Sequence, residues 1–169
     1  MIQVARLLNE MLTEHVIESY AVFEAIAQMR YTEPVATLDV DVLVGLSSGE
    51  DRLDALTPIY AFCSERHYRP EGESIRVGPW PVQFIPVFSD LTREAMMLAD
   101  TADFEGVPLR VVRADHLAVI ALSVGRPKDL TRILALLESG SASRRAIADL
   151  ANRHGLSEAW AKFEERFPG

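Results

Sequence analysis

The chain has 169 residues, 49% of them hydrophobic and 25% charged, with a net charge of −8 at pH 7. This composition is typical of a globular domain, and the charge argues against a broad nucleic-acid-binding surface or an anionic membrane as partner. The single cysteine excludes an internal disulfide and a multi-cysteine zinc site. Since no signal peptide and no apolar run of about 18 residues is recognised, we expect a cytoplasmic protein that does not contact a membrane.

Hydrophobic periodicity predicts helices and strands along the whole chain. In chain order they are a helix at 2–16, a strand at 17–23, a helix at 24–31, a strand at 37–44, a helix at 51–63, strands at 74–78 and 82–85, a helix at 91–102, a strand at 107–112, and helices at 114–124, 127–138, 143–153 and 157–167. Residues 66–73 are polar, contain Pro and Gly, and are predicted as a loop. Ser47 and Glu50 form a candidate capping box for the helix that follows them.

This order of elements predicts an α+β fold, with a small mixed β-sheet flanked by helices and a C-terminal helical extension. We expect one structural unit, in which residues 1–112 form the α+β core and residues 113–169 form a helical region packed on it. No Gly-x-Gly-x-x-Gly follows a predicted strand and no Walker-type Gly-Lys-Ser/Thr is present, which excludes the usual dinucleotide and P-loop folds.

The strand predicted at 37–44 carries the main candidate for chemistry. Its strict alternation places Asp39 and Asp41 on one face, roughly 6.5–7 Å apart along the strand. Two neighbouring carboxylates repel each other, and a hard divalent cation such as Mg²⁺ bound between them removes the repulsion. Mg²⁺ keeps several water ligands, which leaves positions for the phosphates of a substrate. The alternative is an edge strand with a solvated outer face, although aspartate is depleted in strands.

Two stretches of the chain together resemble a known family. The first is Tyr20-Ala-Val-Phe-Glu-Ala-Ile-Ala27, followed by Tyr31, Pro34, Thr37 and Asp39-x-Asp41. The second is Gly106-Val-Pro-Leu-Arg-Val-Val-Arg113, followed by Asp115-His-Leu117 and Gly125-Arg126-Pro-Lys128-Asp129. They lie within residues 15–140 and resemble the minimal nucleotidyltransferase domains, in particular the AbiEii-type branch that includes toxins of toxin–antitoxin systems.

The resemblance implies a nucleotidyltransferase-like fold and a magnesium-dependent reaction. Asp39 and Asp41 would be the catalytic residues and would hold Mg²⁺ against the phosphates of an NTP. A hydroxyl of an RNA or protein acceptor would attack the α-phosphorus, and an antitoxin-like partner is implied as well. The residues expected to bind substrate are Thr37, Gln83, Arg126, Lys128 and Asp129. Without the family, the segment from Arg126 to Asp129 is better explained as an ordinary helix start, with Asp129 in the first turn and the cations solvated or paired locally.

The chain departs from the family pattern at three places. Glu24-Ala25 stands where the family has Gly-Gly or Gly-Ser, and Val35 stands where a basic residue is common. Gln83 is the best candidate for the position of the third carboxylate, and an amide supplies neither charge nor a base. Two hypotheses therefore stand: a divergent nucleotidyltransferase, and a catalytically inactive binding or interaction module that keeps the fold.

Overall fold

The computed structural model describes residues 1–33, 37, 39–46, 55–87 and 89–169. Over this part of the chain the helices are α1 (Ile2–Thr13), α2 (Glu24–Gln28), α3 (Thr57–Glu65), α4 (Asp90–Met97), α5 (Ala114–Val124), α6 (Pro127–Glu138), α7 (Arg144–Arg153) and α8 (Ser157–Arg166). The strands are β1 (Ser19–Phe23), β2 (Val40–Gly45), β3 (Arg69–Glu71), β4 (Ser74–Val77), β5 (Trp80–Pro86), β6 (Asp100–Phe104) and β7 (Val107–Val111). The candidate capping box of Ser47 and Glu50, and the family departure at Val35, lie outside the described residues.

The strands form one mixed sheet in the order β3-β4-β5-β2-β1-β7-β6. Strand β2 is antiparallel to β1 and parallel to β5, while β1 is parallel to β7. The outer pairs β3–β4, β4–β5 and β6–β7 are antiparallel. The predicted α+β class, with a mixed sheet flanked by helices and a helical C-terminal extension, is confirmed.

The prediction was wrong at both edges of the sheet. The loop predicted at 66–73 contains edge strand β3, and the helix predicted at 91–102 ends at Met97 and is followed by edge strand β6. Strand β3 is exposed along its length and β6 along all but one residue. Edge strands of this kind bury few side chains, so they carry no hydrophobic alternation that sequence reasoning can detect.

Helix α5 is the central helix of the structure and is buried over almost its whole length. An apolar run such as Leu117–Leu122 is expected of a helix that is covered on several sides. Helix α6 follows directly after Gly125, which ends α5 in the left-handed conformation (φ 70°) that glycine tolerates. The tight turn brings the start of α6 back toward α2 and the start of β2. None of the helices in the described ranges is long and apolar enough to cross a membrane.

Candidate functional site

A cleft of about 1040 Å³ opens between α2, the start of α6, and strands β2 and β5. Six of the seven predicted site residues line it, namely Thr37, Asp39, Asp41, Gln83, Arg126 and Lys128. These residues come from three separate parts of the sequence, and the fold brings them together. The cleft therefore has an acidic wall on the sheet and a basic wall on α6.

Asp41 is the centre of the acidic wall. It lies on β2 with Phe23 of β1 as its neighbour on one side and Gln83 of β5 on the other. Asp39 is exposed just before the strand, and the Thr37 hydroxyl lies 3.1 Å from its carboxylate Oδ1. Asp39 and Asp41 both line the cleft, but only Asp41 lies within β2, because the strand predicted at 37–44 begins at Val40.

The environment of Asp41 disfavours its ionised form. Burial, helped by the negative charges of Asp39 and Glu24 and opposed by Lys128 and Arg132, raises the pKa of this carboxyl to about 6. A shift in this direction is expected where a cleft gathers like charges that a bound cation would balance.

The basic wall is organised by Asp129, which does not face the cleft. Its side chain is fully buried and accepts hydrogen bonds from Arg126 Nε (2.7 Å) and from the Arg126 backbone N–H (3.1 Å). Burial is the largest single influence and would raise the pKa of Asp129, but the hydrogen bonds and charge of Arg126, together with the charge of Arg132, outweigh it and the pKa is lowered. The structure thus places Asp129 behind the wall, where it orients the Arg126 side chain, and leaves Lys128 exposed at the cleft.

Two further residues of the cleft, Arg132 and Gln28, escaped the sequence analysis. Arg132 is buried, its Nη2 lies 2.6 Å from the Glu24 carboxylate, and its Nε donates to Gln28 Oε1 (3.1 Å). The signal that was available is the spacing in α6: Arg132 follows Asp129 by three residues and therefore shares its helical face. The pairing with Glu24 of α2 has no such local signal.

Glu24, which stands where the family has a glycine, is a cleft residue. It lines the cleft and sits in the left-handed region of backbone conformation, with φ 56°. Its charge is balanced by Arg132, and the second cleft arginine, Arg126, is 3.9 Å away.

The donor set of the acidic wall fits a hard divalent cation. Asp39 and Asp41 supply carboxylate oxygens, and Gln83 beside Asp41 has an amide oxygen, while its Nε2 donates to Glu73 Oε2 (3.4 Å). Within the described ranges no group of three His, Cys, Asp or Glu residues is placed to hold a metal. Two carboxylates suit Mg²⁺, which keeps several waters and completes its shell with substrate phosphates.

Comparison with solved structures finds proteins of similar fold. An antigenic nucleotidyltransferase-like protein from Paracoccidioides brasiliensis matches with a TM-score of 0.56 and 15% identity, over 94% of this chain and 90% of that one. ANT(2″)-Ia in complex with adenylyl-2″-tobramycin matches with a TM-score of 0.49 and 11% identity, over 97% of both chains. Comparison with protein-family models and with curated protein sequences finds no match. The first of these likenesses shows that the chain has a nucleotidyltransferase-like fold.

Proposed function

We propose that the cleft binds a nucleoside triphosphate with Mg²⁺ and transfers its nucleotidyl group to an acceptor hydroxyl. One observation carries the proposal: two oppositely charged walls line the same cleft. Asp41 on β2 and Asp39 just before it form the acidic wall, and Arg126 and Lys128 at the start of α6 form the basic wall. A polyphosphate that arrives with a divalent cation carries both of the charges that these walls complement.

The chain's own residues have distinct tasks in this reaction. Arg126 and Lys128 bind the phosphates from the start of a helix, where the backbone also favours anions. Asp39 and Asp41 would hold Mg²⁺, which when bound neutralises charge on the phosphates. The acceptor oxygen forms a bond to the α-phosphorus, the bond to the β-phosphate breaks, pyrophosphate leaves with the electron pair, and the hydroxyl proton passes to solvent.

The acceptor follows from the resemblance to AbiEii-type proteins. We propose a hydroxyl of RNA or protein, and an antitoxin-like partner that controls the activity. The net charge of −8 favours an acceptor bound locally at the cleft over one held along an extended basic surface. Expression of the chain alone should then slow the growth of its host, and the Asp41→Asn variant should not.

A second candidate function is binding of nucleotide without transfer. It is favoured by Gln83, an amide at the position beside Asp41, and by the Glu24 carboxylate inside the cleft. The two functions differ in product, since only the enzyme releases pyrophosphate.

Calorimetric titration with each NTP tests the proposed function. We expect binding in the presence of Mg²⁺ and a loss of affinity of about a hundredfold in the Asp39→Asn/Asp41→Asn variant, because the phosphates then lack their bridging cation. Asp149→Asn is the matched control, since Asp149 is an exposed aspartate of α7 outside the cleft.

Pyrophosphate release and transfer of label from the α-phosphate to RNA or protein then separate the two functions. Binding without pyrophosphate release favours the binding module. Absence of NTP binding at millimolar concentration contradicts both.

A further inference from the structure

Two arginines of the cleft are each held by a carboxylate, but from opposite sides. Arg126 is bound by Asp129, which is fully buried in α6 behind the basic wall. Arg132 is bound by Glu24, whose carboxylate approaches from within the cleft at 2.6 Å. The first pair shapes the wall, whereas the second places an anion in the space where a substrate would lie.

The position of Glu24 is unfavourable in two respects. A non-glycine residue in the left-handed region, here at φ 56°, adopts a strained backbone conformation. The Glu24 charge also adds to the negative potential at Asp41. What offsets both is the ion pair with the buried Arg132, and the weaker attraction of Arg126 at 3.9 Å.

A phosphate oxygen and a carboxylate oxygen compete for the same guanidinium. Arg132 offers a planar set of N–H donors. Its Nε donates to Gln28, its Nη1 lies 3.7 Å from Asp129, and its Nη2 lies 2.6 Å from Glu24. Arg132 and Glu24 both line the cleft, so their ion pair lies in its wall.

We propose that the Glu24 carboxylate occupies the position on Arg132 at which a phosphate group would bind, called here the anion seat. A polyphosphate then binds only when Glu24 releases this arginine. The inference rests on the proposed function for the identity of the substrate as a nucleotide; the anion seat itself is independent of it. Glu24 thereby sets the affinity of the cleft for polyphosphate and restricts it to ligands that compete with an internal carboxylate.

Inorganic tripolyphosphate without Mg²⁺ is the probe of the seat, because it needs no base, sugar or metal. We expect Glu24→Gln, which removes the charge and keeps the shape, to bind it about tenfold more tightly than the wild type, and Glu24→Gly to gain at least as much. Glycine additionally relaxes the left-handed backbone, so this variant keeps the test valid if glutamine alters folding. Thermal unfolding of each variant verifies the fold.

The matched control is Glu10→Gln, which removes a glutamate paired with an arginine (Arg66, 2.8 Å) outside the cleft. It should leave tripolyphosphate affinity unchanged, which shows that loss of one negative charge from the surface is not the cause. The Glu24→Gln/Arg132→Gln double variant should lose the gain, because the seat is then gone.

The outcomes separate this inference from the proposed function. Tripolyphosphate affinity that is unchanged or weaker in both Glu24 variants overturns the inference, even where the wild type binds NTP with Mg²⁺. If the Glu24 variants bind tripolyphosphate more tightly but neither they nor the wild type bind NTP, the role of Glu24 at Arg132 is supported and the proposed nucleotide function is contradicted.

Discussion

The negative charge of Asp41 lowers the stability of the fold, although the proposed cation site requires it. Its pKa is raised to about 6, from an ordinary value near 3.8, by burial and by the charges of Asp39 and Glu24. The folded state therefore binds a proton more tightly than the unfolded state does, and stability falls as pH rises between these two values. Above the folded pKa the cost is constant, so ionised Asp41 destabilises the fold at neutral pH.

Replacing Asp41 with asparagine should therefore stabilise the protein at neutral pH. Because Asp41 is only partly buried, solvent screening reduces the effect of the pKa shift. We expect a gain of about 2 kcal/mol at about pH 8, which corresponds to a rise in Tm of roughly 4–8 °C for a chain of this size. Below the ordinary aspartate pKa the carboxyl is neutral in both states, and the gain should disappear. Thermal unfolding followed by circular dichroism across this pH range measures the difference.

Asp149→Asn controls for the loss of an aspartate from the chain. Asp149 is exposed on α7, and its nearest cation is Arg145 at 4.0 Å, so the substitution should change Tm little at any pH. A gain for Asp41→Asn that is the same at low and neutral pH would show that the asparagine packs better, and that the pKa of Asp41 is not raised.

At the scale of elements, the start of α6 depends on one buried carboxylate. Asp129 accepts from Arg126 and lies 3.7 Å from Arg132, so its charge acts on both arginines from behind, while Glu24 pairs with Arg132 on the cleft side. Because the pKa of Asp129 is lowered, its stabilising contribution is present at neutral pH and is lost as pH falls through the folded pKa. Without it, Glu24 is left as the carboxylate near both guanidinium groups, 2.6 Å from Arg132 and 3.9 Å from Arg126.

The Asp129→Asn variant should weaken both the fold and the site. We expect a loss of about 2 kcal/mol in the free energy of unfolding, since a buried charged hydrogen bond is removed while its partners stay. Affinity for NTP with Mg²⁺ should fall about tenfold because Arg126 is no longer oriented. Urea unfolding and calorimetry measure the two effects.

Asp90→Asn is the matched control for this variant. Asp90 also stands in the first turn of a helix, three residues before an arginine (Arg93, 2.8 Å), but its side chain is exposed. We expect a change within about 0.5 kcal/mol for an exposed pair of this kind. Equal losses in the two variants would mean that burial of Asp129 gives it no special role.

Features that depend on residues close together in the sequence could be predicted, whereas contacts between residues far apart in the sequence could not. Alternation placed Asp39 and Asp41 on one face, and the Gly125–Pro127 turn marked the start of α6, because both signals are local. The pairing of Glu24 with Arg132 joins elements that are distant in sequence, so no periodicity reports it. Strands β3 and β6 were missed for a different reason, since exposed edges have no hydrophobic pattern.

At the scale of the whole molecule, the helical residues 113–169 are bonded to the core at several separate points. Arg132 of α6 reaches Glu24 of α2, and the Ser141 hydroxyl donates to the Tyr31 carbonyl (2.9 Å). On α4, Glu94 lies 2.8 Å from His154 Nε2 and 2.6 Å from Arg153, both at the end of α7. Such contacts favour a single cooperative unit over two domains.

The two tryptophans allow a test of whether residues 1–112 and 113–169 unfold as one cooperative unit. Trp80 lies on β5 in the core sheet, and Trp160 lies buried in α8, stacked on Phe163. In Trp160→Phe, fluorescence reports the core alone, and in Trp80→Phe it reports the C-terminal helices alone. If residues 1–112 and 113–169 unfold together, the fluorescence midpoint in urea should equal the circular dichroism midpoint within each variant. Comparison within one variant cancels any stability change that the substitution itself causes. A Trp160 transition at lower urea than the loss of the far-ultraviolet signal would show instead that the C-terminal helices detach from a core that remains folded.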